Sequence, residues 1–339
     1  MPTNIAWTDE TWNPVHGCSK VSAGCDNCYA ERISYHQYGH TDEPWTPENA
    51  EENVTEKPGK LEYPRTLDEP ARIFVNSMSD LFHSQVSDEF IGDVFAVMRN
   101  HPEHIFQILT KRPGRAANMP MDWPPNVWMG TSVEDGRVLD RLDLLRDCDA
   151  QTLFVSFEPL IGPVVESHDE LDLSGFDWAI VGGESGPDDD RREMAHEWVW
   201  PIRRACMTQD VAFFFKQSSA HQPEQGQALR CPDGVRREFR ELPAVSEATQ
   251  KARDAMEIVA DGGRDNGFDR HEVDCRCGKT TVGETLAQAE HNHLLHFLND
   301  HDDTTEEERE MAREQLEQVR EQRSMDTVTE RSGGDDDGD

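Results

Sequence analysis

The chain has 339 residues and a formal net charge of −35, and its acidic, lysine-poor composition is typical of cytosolic proteins from salt-in halophiles. Hydrophobic residues make up 35% of the sequence, which is enough for one large domain or two smaller ones with a very polar surface. No apolar run approaches the ~20 residues of a membrane span and the N-terminus does not look like a signal peptide, so we expect a cytoplasmic protein with no membrane partner.

A first strand is predicted at residues 5–7, and the loop after it carries three cysteines within eleven residues. They are Cys18, Cys25 and Cys28, in a C-x6-C-x2-C spacing. In a reducing cytosol, grouped cysteines indicate metal binding rather than disulfides. A [4Fe–4S] cluster held by three cysteines keeps one iron open for a substrate or cofactor. The alternative is a structural zinc site that has His16 as its fourth ligand.

The middle of the chain predicts an α/β fold. After a polar stretch at residues 36–70, which indicates a long loop or lid, short apolar runs alternate with helical segments at 88–100 and 196–208. Near-continuous apolar runs are typical of parallel strands buried on both faces. With the first strand, they predict about seven strands in a complete or partial TIM-like barrel. The runs lie at residues 72–76, 104–109, 126–130, 152–157, 177–181 and 211–215.

Polar and charged residues follow the ends of these predicted strands. In a barrel, such positions face the mouth at the carboxyl ends of the strands, where active sites of this fold lie. The cysteine loop follows the first strand, so we expect it to open onto the same mouth. The strand-end residues are Asn76, Ser77, Ser79, Asp80, Thr110, Lys111, Arg112, Thr131, Ser132, Glu134, Glu158, Glu184, Ser185, Lys216 and Gln217.

A second group of cysteines and histidines lies near the C-terminus. Cys275 and Cys277 precede a predicted helix that carries His291 and His296, with His293 as an alternative to His291. A cysteine pair followed by a helical histidine pair is typical of small zinc modules, which bind nucleic acid or another protein. The alternative is a charged helix with surface histidines and two idle thiols.

Composition divides the chain into four predicted parts. Residues 1–245 form the barrel domain, and residues 246–270, charged and glycine-containing, form a linker. Residues 271–300 hold the zinc module, and residues 301–339 form a charged helix and a disordered acidic tail.

Several motifs, taken in order, resemble the phage-associated three-Cys-motif family over roughly residues 3–220. This family is similar to radical SAM proteins and often occurs beside a three-Cys-motif partner protein in phage and mobile elements. The first cysteine gap has six residues where the usual radical SAM motif has three, a difference that a longer loop accommodates. The motifs are IAWTDETWNP at 5–14, GC at 17–18, GCDNCYAE at 24–31, NSMSDLF at 76–82, LTKRP at 109–113, GTSVE at 130–134, FEPL at 157–160, VGGESG at 181–186 and FFKQ at 214–217.

The resemblance implies a radical SAM-type enzyme that needs an external electron donor. The three cysteines of the first loop would ligate three irons, and the fourth iron would chelate the amino and carboxylate groups of S-adenosylmethionine. One-electron reduction would then yield a 5′-deoxyadenosyl radical that abstracts a hydrogen atom. A phage or mobile-element origin suggests a role in nucleic-acid modification or in defence.

The strand-end residues receive roles in this hypothesis. Lys111, Arg112 or Lys216 would pair with the carboxylate of S-adenosylmethionine. Glu158 or Glu184 would bind its ribose hydroxyls or amino group, and Asp80 would bind the substrate. Gly182 and Gly183 resemble the glycine-rich strand that holds the amino group in radical SAM proteins.

Two other functions stay open at this point. One is a zinc-stabilised protein of a mobile element that binds nucleic acid or a partner without catalysis. The other is a metal-dependent hydrolase that uses Asp80, Glu158 and Glu184, although none of these three carboxylates belongs to an H-x-x-x-H or D-x-D signature that would support it.

Overall fold

The structure is a computed structural model that describes residues 3–232, 234–260, 271–274 and 280–283. The chain divides into two compact units. The first consists of Met1–Lys57 with Tyr63–Ile258, and the second of Pro58–Glu62 with Val259–Asp339. The candidate site lies in the first unit.

One parallel sheet organises the first unit, and its seven strands lie in the order of the chain. The strands are β1 (Glu10–Trp12), β2 (Arg72–Val75), β3 (Ile105–Thr110), β4 (Val127–Ser132), β5 (Thr152–Phe157), β6 (Trp178–Gly182) and β7 (Ala212–Gln217). Because neighbours in sequence are also neighbours in space, every crossover runs in the same sense and the sheet curls into a partial barrel. The predicted α/β, TIM-like architecture is confirmed in this partial form.

Aromatic side chains on the concave face of the sheet show the curl. Trp7 precedes β1, yet its ring centroid lies 6.0 Å from that of Trp178 on β6, the sixth strand of the sheet. Phe74, Phe154 and Phe214 pack into the same buried cluster. Alternate residues of each strand therefore fill the bottom of the barrel, and the next inward positions form its mouth.

The first strand is not at the predicted position. Residues 5–7 form no strand, and β1 begins at Glu10. The amide of Thr8 donates to the Ile5 carbonyl in a turn, and this turn places the Trp7 ring 4.7 Å from that of Phe74. The apolar run at residues 5–7 thus reflects a tryptophan buried in the core and not a strand.

The helices lie between the strands along the chain. They are α1 (Tyr29–Glu31), α2 (Ala50–Asn53), α3 (Asp88–Asn100), α4 (Pro113–Asn118), α5 (Arg141–Arg146), α6 (Val199–Gln209) and α7 (Glu247–Ala260). The predicted helix at 88–100 is confirmed, and its N-cap Ser87 accepts a hydrogen bond from the amide of Phe90. The predicted helix at 196–208 begins as the 3-10 turn His196–Trp198 and continues as α6.

Shorter elements complete the described chain. A π-helix spans Arg32–Tyr38. Further 3-10 turns lie at Ala23–Cys25, Pro58–Lys60, Pro64–Thr66, Gly136–Val138 and His168–Glu170. Antiparallel two-stranded ribbons pair Val15–His16 with Thr55–Glu56, Leu229–Arg230 with Arg236–Arg237, and His271–Asp274 with Thr280–Gly283.

Two predicted irregular segments contain structure. The polar stretch at 36–70 includes α2 and the strand Thr55–Glu56, and it buries Trp45. The segment expected to be a linker begins with α7, from which Arg253 Nε donates to the Glu103 carbonyl at 3.0 Å. No helix of the described residues is long and apolar enough to cross a membrane.

A pair of glycine substitutions tests the packing of the barrel. A Cβ added to Gly130 on β4 would lie 2.3 Å from the Phe154 ring, so Gly130→Ala should overpack the core and lower the free energy of unfolding by about 1–3 kcal/mol. Gly92 in α3 has no heavy atom within 4 Å of an added Cβ, so Gly92→Ala should stabilise the helix by about 0.5–1 kcal/mol. Urea unfolding monitored by circular dichroism distinguishes the two, and equal stability of both variants would contradict the packing described.

Candidate functional site

Two adjoining cavities open at the carboxyl ends of the strands. The first, here called the cysteine cavity, has a volume of about 140 Å³, and its wall includes all three cysteines of the first loop. The second, here called the strand-end cavity, has about the same volume and is lined by strand-end residues such as Glu158 and Lys216. The cavities share a wall made of Cys28, Tyr29, Phe74, Leu109, Lys111 and Ser132. Residues of the cysteine loop and of the strand ends thus line the same pair of cavities.

Local backbone features place the cysteine loop over the barrel. Gly17 has a φ of +80°, and a Cβ there would lie 2.0 Å from the carbonyl oxygen of Asn53, so only glycine fits where the loop departs. The turn Ala23–Cys25 carries the second cysteine, and Cys28 is the N-cap residue of α1. His16, the fourth ligand of the zinc alternative, pairs with Thr55 in a ribbon, and its ring centroid lies 5.3 Å from that of His40 at a tilt of 56°.

Burial dominates the electrostatics of the thiols. It raises the pKa of Cys18 to about 12, with a smaller contribution from the nearby Asp80 carboxylate. Burial also raises the pKa of Cys28. Both thiols therefore hold their protons at neutral pH until a cation displaces them, as metal binding to cysteine requires.

The first of three carboxylate–arginine pairs that hold the cysteine loop is Asp80–Arg112. Arg112 Nη1 lies 3.0 Å from Asp80 Oδ2, and Arg112 Nη2 donates to the Ser19 carbonyl at 2.9 Å. Asp80 also accepts hydrogen bonds from Thr110 Oγ1 and from the amide of Lys111. These partners fill the acceptor positions of Asp80, so it anchors the loop from the end of β2.

The second pair is Glu134–Arg141, behind β4. Arg141 Nη1 donates to Glu134 Oε2 at 2.8 Å, and the two side chains are only 8% and 1% exposed. The other oxygen of Glu134 accepts the amide of Gly24 at 3.2 Å, in the turn that carries Cys25. An added Cβ at Gly24 would lie 3.0 Å from Glu134 Cδ, so glycine permits this close approach.

The third pair is Glu184–Arg192, beyond β6. Both the amide and the guanidinium of Arg192 donate to Glu184, and Arg192 Nη2 also reaches the carbonyl of Ala23 at 3.0 Å. Asn27 Nδ2 donates to Glu184 Oε2 at 3.0 Å. Although burial raises the pKa of Glu184, the bonds from Arg192 and Asn27 outweigh it and lower the pKa overall. Glu184 is therefore ionised, and its hydrogen bonds hold the loop in place.

Glu158 and Lys216 remain as a pair in the strand-end cavity. Lys216 Nζ donates to Glu158 Oε1 at 2.7 Å, and it lies 3.9 Å from Glu224 Oε1. Burial raises the pKa of Glu224, against the opposing effect of Lys216. Lys111 lines both cavities, and within the described part of the chain its ammonium makes no ion pair.

The predicted glycines, Gly182 and Gly183, lie at or beside the strand-end cavity. A Cβ on Gly182 would lie 2.8 Å from Glu158 Cδ, and one on Gly183 would lie 2.3 Å from the amide of Ser219. Gly183 lines the strand-end cavity, whereas Gly182 lies beside it and makes room for Glu158. Gly182 thus permits close packing against Glu158. Gly183 permits close packing against Ser218 and Ser219.

Sequence reasoning missed several residues of this site. Ser156 lines the strand-end cavity, and its position two residues after Phe154 on β5 is the alternation that would have shown it. Tyr29, Asn27, Arg141 and Arg192 had no such signal, because their roles depend on contacts between segments far apart in the chain.

A separate cluster of metal-ligating residue types does not form a metal site. Within the described residues, His101, Glu103 and His104 are the one such trio whose ligand atoms all lie within 4.8 Å. His104 Nδ1 accepts the amide of Ala71, so Nε2 carries the proton and donates to the Pro64 carbonyl. Both ring nitrogens of His104 are thus engaged in the core. Asp80, Glu158 and Glu184, the ligands of the hydrolase alternative, form no such cluster.

The predicted zinc ligands Cys275, Cys277, His291 and His296 lie outside the described residues. The nearest described segments are the strands of the ribbon His271–Asp274 and Thr280–Gly283 in the second unit.

The fold and site define an α/β protein with a partial barrel whose mouth is closed by a cysteine-bearing loop. The chain belongs to the family DUF5131, described as a protein of unknown function, which it matches over residues 2–295. No curated protein matches it.

Among solved structures, the chain is similar to "Spore photoproduct lyase complexed with dinucleoside spore photoproduct", at 9% identity over 71% of each chain with a TM-score of 0.29. It is also similar to a point mutant of spore photoproduct lyase, at 10% identity over 72% of this chain and 71% of that one, with a TM-score of 0.30. With TM-scores this low, neither likeness assigns a ligand or a reaction to this chain.

Removing one of the carboxylates that hold the cysteine loop should make the loop backbone open more often. Glu184→Ala removes the acceptor of Arg192 and Asn27, and bonds to a charged group contribute about 1.5–3 kcal/mol each. Amides of residues 23–28 should therefore exchange with deuterium at least about tenfold faster than in the wild type. Glu193→Ala is the matched control, because Glu193 is an exposed partner of Arg191 in the same segment. Unchanged exchange in the Glu184→Ala variant would show that the loop does not depend on this carboxylate.

Proposed function

We propose that the protein is a radical SAM-type enzyme, in which Cys18, Cys25 and Cys28 hold a [4Fe–4S] cluster beside a site for S-adenosylmethionine. One observation carries the proposal: three cysteines line one cavity, and that cavity shares a wall with a second one lined by charged strand-end residues. When bound, the two groups would supply one-electron reductive chemistry for hydrogen-atom abstraction from a substrate.

The donor groups of the cysteine cavity fit an iron–sulfur cluster. Three thiolates are the protein ligands that a cubane with one open iron needs. Arg112 supplies a positive charge and a hydrogen bond to sulfur, which suit an anionic cluster. Asn76 also lines this cavity, and its buried Nδ2 is an orphaned donor among the described residues, so an acceptor in the cavity would satisfy it.

The arrangement fits a closed zinc site less well. Zinc bonded tetrahedrally to sulfur at about 2.3 Å draws its ligands to within about 3.8 Å of one another. Among the described residues, His16, Cys18, Cys25 and Cys28 contribute no trio with ligand atoms within 4.8 Å. His16 is also absent from the walls of the cysteine cavity. The four side chains therefore do not form a compact Cys₃His set.

The strand-end cavity offers groups that complement S-adenosylmethionine. Lys111 is a cation suited to the carboxylate, and it stands on the wall that faces the cysteines. Glu158 is a carboxylate suited to the amino group or to ribose hydroxyls, and Lys216 fixes its position. Trp7 and Phe74 provide apolar surface for an aromatic base. Asp80 and Glu184, by contrast, are engaged by arginines and hold the loop.

The remaining parts of the proposal rest on the sequence resemblance. They are a phage or mobile-element origin, a three-Cys-motif partner protein, an electron donor and a nucleic-acid substrate. The same holds for zinc binding by the C-terminal cysteines and histidines.

Anaerobic reconstitution with iron and sulfide in high salt tests the cofactor. We expect about four irons per wild-type chain, a broad charge-transfer absorbance, and an EPR signal of the reduced protein that S-adenosylmethionine alters. Cys25→Ala should lose the cluster and reductive cleavage of S-adenosylmethionine.

Cys231→Ala is the matched control, because Cys231 is a buried thiol that lines neither cavity. Its iron content should equal that of the wild type. Stoichiometric zinc bound through the first three cysteines, with no cluster formed, would refute the proposed function.

A further inference from the structure

Arg112 is the one charged side chain in the described part of the chain that donates a hydrogen bond to a cysteine sulfur. Its Nη1 lies 3.6 Å from Cys18 Sγ. The same nitrogen lies 3.0 Å from Asp80 Oδ2, and Nη2 donates to the carbonyl and hydroxyl oxygens of Ser19 at 2.9 and 3.2 Å. The planar guanidinium thus connects the sulfur, the loop backbone and a carboxylate.

The position of this guanidinium is fixed before any ligand binds. Arg112 is 15% exposed and Asp80 only 7%. Asp80 is held in turn by Thr110 Oγ1 at 2.7 Å and by the amide of Phe82 at 3.0 Å. A charge held in a dry and rigid setting acts more strongly on its neighbours than one exposed to water.

We propose that Arg112 is a positioning residue that raises the reduction potential of the bound cluster through its hydrogen bond to Cys18. The inference rests on the proposed function, since it requires the cluster. Hydrogen bonds to the sulfurs are among the factors that set the potential of iron–sulfur clusters. A donor at Cys18 Sγ withdraws negative charge from the thiolate and so stabilises the reduced state, which carries one more electron.

This role separates Arg112 from Lys111, its neighbour in the chain. The hydrogen bonds of Arg112 are directed at the cysteine loop and Asp80, which leaves Lys111 as the cation of this segment for a ligand carboxylate. Variants of the two residues should therefore differ. Arg112 variants change the potential of the cluster, and Lys111 variants change the affinity for S-adenosylmethionine.

The test is an EPR-monitored redox titration of the reconstituted full-length protein, without S-adenosylmethionine. Arg112→Gln should shift the midpoint potential to a more negative value at unchanged iron content. Arg112→Lys keeps the charge but not the planar fork, and it should give a smaller shift in the same direction. Lys20→Gln is the matched control, because Lys20 lines the same cavity but contacts Glu31 and the Asp26 carbonyl instead of a sulfur.

The outcomes separate the two proposals. A wild-type chain that assembles no cluster refutes the proposed function, and this inference with it. A loaded Arg112→Gln variant with the wild-type potential overturns the inference alone, as would a shift in Lys20→Gln as large as that in Arg112→Gln. If Arg112→Gln assembles less iron, the Arg112→Lys titration decides, and an unshifted potential in that variant overturns the inference.

Discussion

The docking of the cysteine loop on three carboxylate–arginine pairs is the constraint on which the site depends. Asp80, Glu134 and Glu184 follow the second, fourth and sixth strands, and each contacts the loop directly or through its arginine. A loop with three half-buried thiols would gain little from apolar burial. Hydrogen bonds between charged groups in the partly buried mouth of the barrel instead fix the backbone of the loop. The cysteine sulfurs are thereby placed on one wall of a cavity.

Charged residues at the ends of the third, fifth and seventh strands line the strand-end cavity. Lys111, Glu158 and Lys216 come at or just after the ends of β3, β5 and β7, and they line the strand-end cavity. In a parallel barrel, one end of the sheet thus carries two sets of charged groups, one that holds the loop and one that lines the strand-end cavity. Lys111 and Cys28 belong to the shared wall, so a ligand in the second cavity would lie next to whatever the cysteines hold.

Much of this fold was predictable from the sequence, because its signals are local. Apolar runs such as residues 152–157 became strands, and their ends carried the polar residues of the mouth. The prediction of a strand at residues 5–7 was wrong, because one buried tryptophan at the base of a barrel gives the same apolar signal as a short strand. Only the packing of Trp7 against Phe74 and Trp178 distinguishes the two.

The roles of the charged residues were less predictable than their location. Ligand-binding roles were predicted for Asp80, Glu158 and Glu184 at the mouth, but no local pattern shows which of them meets an arginine. Arg192 reaches Ala23 across 169 positions of the chain, and no local pattern encodes such a contact. Asp80 and Glu184 line the cavities as Glu158 does, and it is their arginine partners that make them hold the loop.

Mössbauer spectroscopy of the protein reconstituted with ⁵⁷Fe, with and without S-adenosylmethionine, distinguishes the individual irons of a cluster. We expect a cluster of about four irons in which one iron, the one without a cysteine ligand, changes its signal when S-adenosylmethionine is added. A spectrum that S-adenosylmethionine leaves unchanged, or a chain that retains no iron, would contradict this expectation.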